Sequence, residues 1–273
     1  MSLLEFRKIS EFIQNNFGIK LPDQKRIMVQ GRLHKRLATL EMTSFGQYVQ
    51  YLFSEEGMRK EIPVMVDLIS TNKTNFFREA VHFNVLTDVV LEEFTKSKSY
   101  STFRVWSAGC SSGEEVYTLA IVINEYLQNH KGYNYRLFGT DISRRMLEKG
   151  NKAIYDTRDV ETIPFHLKKK YLLKHKNKQI QKIRITPELR HKADFAYLNF
   201  MDQEYNVNQM FDVVFCRNVL IYFEKKVQEE VIRKILKNTK PGGYLFLGHS
   251  ESINDMDLPL EKISPTVFKK KKQ

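Results

Sequence analysis

The chain has 273 residues, 42% of them apolar, enough to bury a proper core in one large domain or two unequal ones. Lys and Arg number 44 against 32 Asp and Glu, a formal net charge of +12, so an acidic partner is expected: nucleic acid, an anionic membrane face or an acidic protein surface. No apolar run of ~18 residues occurs, the opening MSLLEFRKISEF is amphipathic and not signal-like, and two cysteines are too few for a disulfide framework or a thiolate metal site; a soluble cytoplasmic protein is expected.

Residues 3 to 94 carry helical periodicity and almost no strand signal. Phe6, Ile9, Ile13 and Phe17 line one face of a first helix that Gly18 stops, and Pro22 stands where a second can begin. Ile27, Leu33, Leu37 and Leu40 stripe that second helix, while Lys25, Arg26, Arg32, Lys35 and Arg36 make its polar side strongly basic. Third, fourth and fifth helices are expected over Ser44 to Phe53, Met58 to Ser70 and His82 to Phe94. After residue 100, strands alternate with helices, the signature of an α/β sheet. The expected strands are Phe103 to Ser107, Arg136 to Thr140, Phe195 to Phe200, Phe211 to Cys216, Tyr244 to Gly248 and Thr266 to Lys270, with helices over about 113–128, 143–151 and 225–237. Tyr171 to Lys174 and Gln179 to Ile185, flanking HKNK, read as a small antiparallel insertion.

The stretch RVWSAGCSSGEEVYTLAI, 104 to 121, is a strand, a glycine turn and a helix, the unit at whose strand end ligands bind in open α/β sheets. Gly109 and Gly113 do not complete the dinucleotide fingerprint, and no phosphate-loop lysine follows. Glu114 and Glu115 open the helix instead. Two carboxylates there repel a pyrophosphate and satisfy the helix dipole themselves, so a ligand with a cationic end and no phosphate fits, and S-adenosylmethionine is such a ligand. Acidic residues in a first turn also occur simply as dipole partners, and on this stretch alone the two readings stand level. Asp141, ending the second strand in FGTD, can accept from both ribose hydroxyls or merely cap the next helix; in register with the glycine turn, the ribose reading is preferred. Asn199-Phe200 and Asn218, Val219 and Tyr222 follow the next two strands and can wall an adenine. Cys110 and Cys216 read as small apolar residues near strand ends.

With these segments in hand, the chain resembles the CheR family, the chemotaxis receptor glutamate methyltransferases. The resemblance spans nearly the whole chain and is carried by TNKTNFFRE (71 to 79), RVWSAGCSSGEEVYTLA (104 to 120), FGTDIS (138 to 143), FDVVFCRNVLIYF (211 to 223) and KPGGYLFLGHSES (240 to 252). It implies a doubly wound, Rossmann-like methyltransferase domain over 76–273, an N-terminal all-α receptor-recognition domain over 1–75, and a small antiparallel β-subdomain inserted at about 165–192. It also implies S-adenosylmethionine as donor, S-adenosylhomocysteine as product and no metal. Asn72, Thr74, Arg78, Gly109, the Glu114-Glu115 pair, Asp141, Asn199-Phe200 and Asn218-Val219 would line the donor site. Members that dock a receptor tail on the insertion are associated with a glycine-containing loop there; this chain has KHKNKQ instead.

The reaction so implied is methyl transfer to the side-chain carboxylate of receptor glutamates. Such a carboxylate has an ordinary pKa of ~4.3 and is ionised at neutral pH, so no general base is needed. Arg78 is expected to hold the incoming carboxylate through its planar fork, and Tyr222 to donate its hydroxyl or shape the methyl channel. The basic second helix, through Arg26, Arg32, Lys35 and Arg36, is expected to lie on the acidic helical bundle of the receptor, and the enzyme to act as a monomer. A nucleic-acid methyltransferase is the rival reading, since the net charge suits phosphate. NVLIY, however, lacks the prolines of the amino-group methylase motif, and residues 25 to 36 hold no aromatic side chain, so nucleic acid is not the expected partner.

Overall fold

The computed structural model describes residues 1–97, 101–177 and 179–272. In the helical domain, α1 (Leu3–Phe17) starts on a capping box in which Ser2 Oγ accepts from the Glu5 amide and Glu5 accepts from the Ser2 amide. It stops at Gly18, whose φ of 70° is the left-handed C-cap. Then come α2 (Arg26–Thr39), α3 (Phe45–Leu52) and α4 (Glu55–Ile69). Their shared core contains Phe6, Ile9, Ile13, Val29, Leu33, Leu37, Tyr48, Leu52 and Met65. The buried stripe of α2 runs Val29-Leu33-Leu37, four residues apart, and this corrects the expectation for Ile27, which falls outside it and is 66% exposed.

The expected fifth helix is one continuous rod of three pieces: α5 (Val81–Val85), a π-helical stretch Leu86–Leu91, and α6 (Glu92–Lys96). Beyond it lie β1 (Thr102–Ala108), α7 (Glu114–Leu127), β2 (Asn134–Asp141) and α8 (Arg144–Lys152). Next come β3 (Ile154–Asp156), α9 (Phe165–Tyr171), β4 (Leu172–Lys174), β5 (Lys182–Ile185) and α10 (Pro187–Arg190). The chain closes with β6 (Ala193–Tyr197), β7 (Phe211–Cys216), α11 (Lys225–Lys237), β8 (Thr239–Leu247), β9 (Leu260–Ser264) and β10 (Val267–Lys270).

The main sheet has seven strands in the order β6-β2-β1-β7-β8-β10-β9. The β6–β2, β2–β1, β1–β7 and β7–β8 pairs are parallel, and β10 pairs antiparallel with both β8 and β9. The winding direction therefore reverses between β1 and β7, and the carboxyl ends of these two strands open the crevice where such sheets bind ligands. Side chains alternate across the sheet: Phe103, Val105, Val213, Phe215 and Phe246 pack on one face, and Trp106, Ala108, Val214, Cys216, Leu245 and Leu247 on the other.

Three expectations about the sheets also need correction. The third strand of the sheet ends at Tyr197, not Phe200, because Asn199 turns the chain: its side-chain oxygen accepts from the Met201 amide and its amide group donates to the Asn16 carbonyl. The insertion has three strands in the order β3-β5-β4, so it draws in residues ahead of the expected start at 165; β3 is too short for an alternation signal. Lys178 of HKNK lies outside the described residues. The third correction is β9, an edge strand that sequence reading left out. Among the described residues no helix is long and apolar enough to cross a membrane.

Candidate active site

The turn after β1 shapes the cleft floor. Gly109 has φ of 86° and its amide donates to the Thr140 carbonyl at 2.8 Å, as does the Cys110 amide at 2.9 Å. A Cβ on Gly109 would collide with Val219 Cγ2. Glycine is thus required twice over, by dihedral angle and by close approach. Gly113, φ 91°, is the N-cap of α7.

Glu114 and Glu115 are neighbours on that helix and face different surroundings. Glu115 lines the cleft, accepting from Ser107 Oγ at 2.7 Å and from Arg217 Nε at 2.7 Å. Glu114 is 3% exposed and turns the other way: it accepts from Ser112 Oγ at 2.7 Å and lies 3.5 Å from Lys149 Nζ. Burial pushes the Glu114 carboxyl up, against the Ser112 hydrogen bond and the Lys149 charge. Of the expected pair, only Glu115 is a cleft residue. Asp141 also lines the cleft and is fixed by two backbone amides, Ser111 to Oδ2 at 2.8 Å and Ser143 to Oδ1 at 2.9 Å. Burial raises its carboxyl and these amides oppose the rise.

The segment between the helical domain and the sheet crosses above these carboxylates. Asn72, Thr74 and Arg78 all line the cleft; the Asn72 carbonyl accepts from Ser111 Oγ at 2.9 Å, and Arg78 Nη1 donates to the Lys73 carbonyl at 3.1 Å. No helix begins at Thr74. Residues 76–80 form turns in which Phe77 and Glu79 take φ of 55° and 54°, left-handed values uncommon for such side chains. Phe76 is buried edge-on to Tyr155. Phe17, Leu21, Lys25 and Met28 of the helical domain close one side, and Phe200, Asn218, Val219, Tyr222 and Phe223 the other, around a cleft of about 1040 Å³ including its mouth. Lys25 Nζ stands 5.9 Å from the centre of the Tyr222 ring.

Other expected site residues lie elsewhere. Asn199 is not in the cleft; its side chain ties the sheet domain to α1 through Asn16, as described. On α2, Arg36 forks onto the fully buried Glu61, at 2.9 Å from Nε and 2.6 Å from Nη2, with the Tyr48 hydroxyl 3.0 Å away. Arg32 donates to the carbonyls of Ile69 and Ser70, capping the end of α4. Both are spent inside the domain, a correction to the expected basic face. Arg26 donates to the Met1 carbonyl, and Lys35 is exposed.

Two buried residues of the quoted motifs organise the site without having been expected to. Arg217 sends Nε to Glu115, Nη2 to the Arg78 carbonyl at 2.9 Å and Nη1 to His82 Nδ1 at 3.0 Å. Since guanidinium only donates, His82 Nδ1 accepts, its Nε2 carries the proton, and that proton goes to Thr266 Oγ1 at 2.9 Å. Burial, with the Arg217 charge next, pushes the His82 pKa down to about 4. Glu251 accepts from the amides of Gly248, Asn218, Val219 and Leu220 at 2.6 to 2.9 Å and so sets the turn that carries Val219 and Tyr222. Glu79, His82 and His249 gather as a metal site would. Arg217 Nη1, 3.7 Å from Glu79 and bonded to His82, already brings a cation there. Cys110 and Cys216 are fully buried, and burial pushes both thiols well up, so neither supplies a thiolate.

A Rossmann-like sheet, a cleft at its switch point holding the carboxylates of Glu115 and Asp141, and a helical domain beside that cleft are the architecture of an S-adenosylmethionine-dependent methyltransferase. Glu115 and Asp141 offer carboxylates to an ammonium and a ribose, and Gly109 leaves room for close approach, so the residues fit that donor. Residues 72–268 match the CheR methyltransferase SAM-binding domain and residues 4–70 the CheR methyltransferase all-alpha domain; the chain belongs to the CheR methyltransferase family. It is 35% identical over 270 residues to a chemotaxis protein methyltransferase of Borreliella burgdorferi, covering 97% of this chain and 94% of that protein. Over 268 residues it is 34% and 35% identical to the chemotaxis protein methyltransferases of Salmonella typhimurium and Escherichia coli, covering 98% of this chain and 90% and 91% of theirs.

Proposed function

We propose that this S-adenosylmethionine-dependent methyltransferase esterifies glutamate side chains on the cytoplasmic helical bundle of chemotaxis receptors, working as a monomer in the cytoplasm. The observation that carries the reading is the placement of Glu115 and Asp141 with Arg78 and Tyr222 around one cleft. Acidic groups there suit a cationic nucleoside, and a guanidinium at the same cleft suits an anionic acceptor. The donor, when bound, supplies an electrophilic methyl on sulfur. Arg78 holds the acceptor carboxylate in line with it, the linker and Tyr222 exclude water, and no residue needs to take a proton.

Recognition of the acidic bundle falls first to the exposed Lys35, because Arg26, Arg32 and Arg36 all have partners within the domain. The test is transfer of a labelled methyl group to receptor cytoplasmic fragments, with RNA as a parallel acceptor. Label on the receptor that is released by mild base, with none on RNA, supports the ester; label on RNA alone overturns it.

A further inference from the structure

We infer that Arg217 is the positioning residue that joins the donor half of the cleft to the acceptor half; the inference rests on the reading of the cleft as a donor site. The Arg217 side chain is 2% exposed, with its charged carbon 5.4 Å and 5.7 Å from the centres of the Phe83 and Phe215 rings. A cation in such surroundings persists only when matched by anions and acceptors. Its matches come from separate parts of the chain: Glu115 at the start of α7, Glu79 and the Arg78 carbonyl in the linker, and His82 in α5. The plane of the guanidinium fixes the angles among these groups as well as their distances.

Two consequences follow for the reaction. The Glu115 carboxylate, which faces the donor, has one oxygen on Ser107 and the other on Arg217, so its direction is set before any ligand arrives. Arg78, which holds the acceptor, hangs from a backbone whose carbonyl is bonded to the same guanidinium. Between two left-handed residues, Phe77 and Glu79, that carbonyl bond helps hold the strained turn in place. One side chain therefore sets the separation between the donor carboxylate and the acceptor's clamp. A lysine can pair with Glu115 or Glu79 as a point charge, but cannot serve Glu115, Arg78 and His82 together.

The experiment compares wild type, Arg217→Lys and a control for the loss of a buried hydrogen bond, Tyr135→Phe, whose hydroxyl donates to the Ala120 carbonyl, with neither residue lining the cleft. Calorimetry with S-adenosylhomocysteine reads the donor half, and methyl transfer to receptor fragments reads the whole. In Arg217→Lys the product analogue is expected to bind roughly 10-fold or more weakly and kcat to fall further still. Tyr135→Phe keeps both at wild-type values. Should Arg217→Lys not fold, the pair Arg217→Met with Glu79→Gln removes the cation and one carboxylate together and is read in the same way. Binding and kcat within about 2-fold of wild type, or losses equal to those of the control, overturn the inference. Failure of wild type to bind the analogue overturns the donor reading, and this inference with it.

Discussion

Gly109 and Val219 meet across the cleft floor at a point where Gly109 has room for a hydrogen and nothing larger. One belongs to the turn after β1 and the other to the turn after β7, so their contact closes the switch point of the sheet.

Gly109→Ala is accordingly expected to fail on two counts, a left-handed φ and a collision with Val219. Calorimetric affinity for S-adenosylhomocysteine should drop by roughly 100-fold, with thermal stability lowered by about 1–3 kcal/mol. An alanine variant that binds like wild type would show that the turn can open without consequence.

The two glutamates of the helix start are separable. Glu115→Gln is expected to cost donor affinity about 10-fold or more, because it removes the charge that faces the cleft. Glu114→Gln, whose side chain is turned towards Ser112 and Lys149, should leave affinity within about 3-fold. Equal losses would mean that the orientation of the pair is misread.

Arg78→Ala is expected to lose methyl transfer by about 100-fold or more while donor affinity changes little, since its guanidinium, held among the described residues only by the Lys73 carbonyl, keeps donors to offer an acceptor at the cleft. Parallel losses in both measurements would assign it to the donor.

Lys35→Glu places repulsion on the exposed side of α2 without disturbing the Arg36–Glu61 pair. The KM for receptor fragments should rise by about 3-fold or more, with donor affinity unchanged and the rise shrinking as salt is added. Unchanged receptor kinetics remove α2 as a contact.

His82 gives the protein an acid limit. Its folded pKa of about 4 lies below the ordinary 6.5, so the stability linked to it is present above pH 6.5 and is lost as the pH falls through 4. Denaturant titration at pH 7 and at pH 4 should show wild type losing up to about 3 kcal/mol more than His82→Gln, which carries no titrating ring. Equal pH slopes would contradict the buried neutral imidazole.

The α/β alternation and the acidic strand end at Asp141 were legible because each leaves a local mark: a period of two, or a carboxylate following a glycine turn. What escaped is what depends on distant partners. Adjacent helical residues point about 100° apart, and nothing near Glu114 and Glu115 says which will face the cleft until α8 brings Lys149 to the first. Arg36 reads as surface charge until Glu61, on another helix, removes it from the surface. Asn199 looked like a strand-end ligand, yet its partner is a carbonyl in α1. Arg217 lay within a quoted motif, but a buried arginine surrounded by apolar letters carries no sign of the four groups it serves.

The end of α1 carries a last implication. A side chain on Gly18 would strike Phe223 and Met201, and two residues on, the Lys20 amide donates to the Tyr222 carbonyl at 2.9 Å. The helical domain is thereby laced to the very turn that presents Tyr222, so neither can shift without the other. Exchanging helical domains between relatives would preserve a working cleft only where this seam is carried over with them.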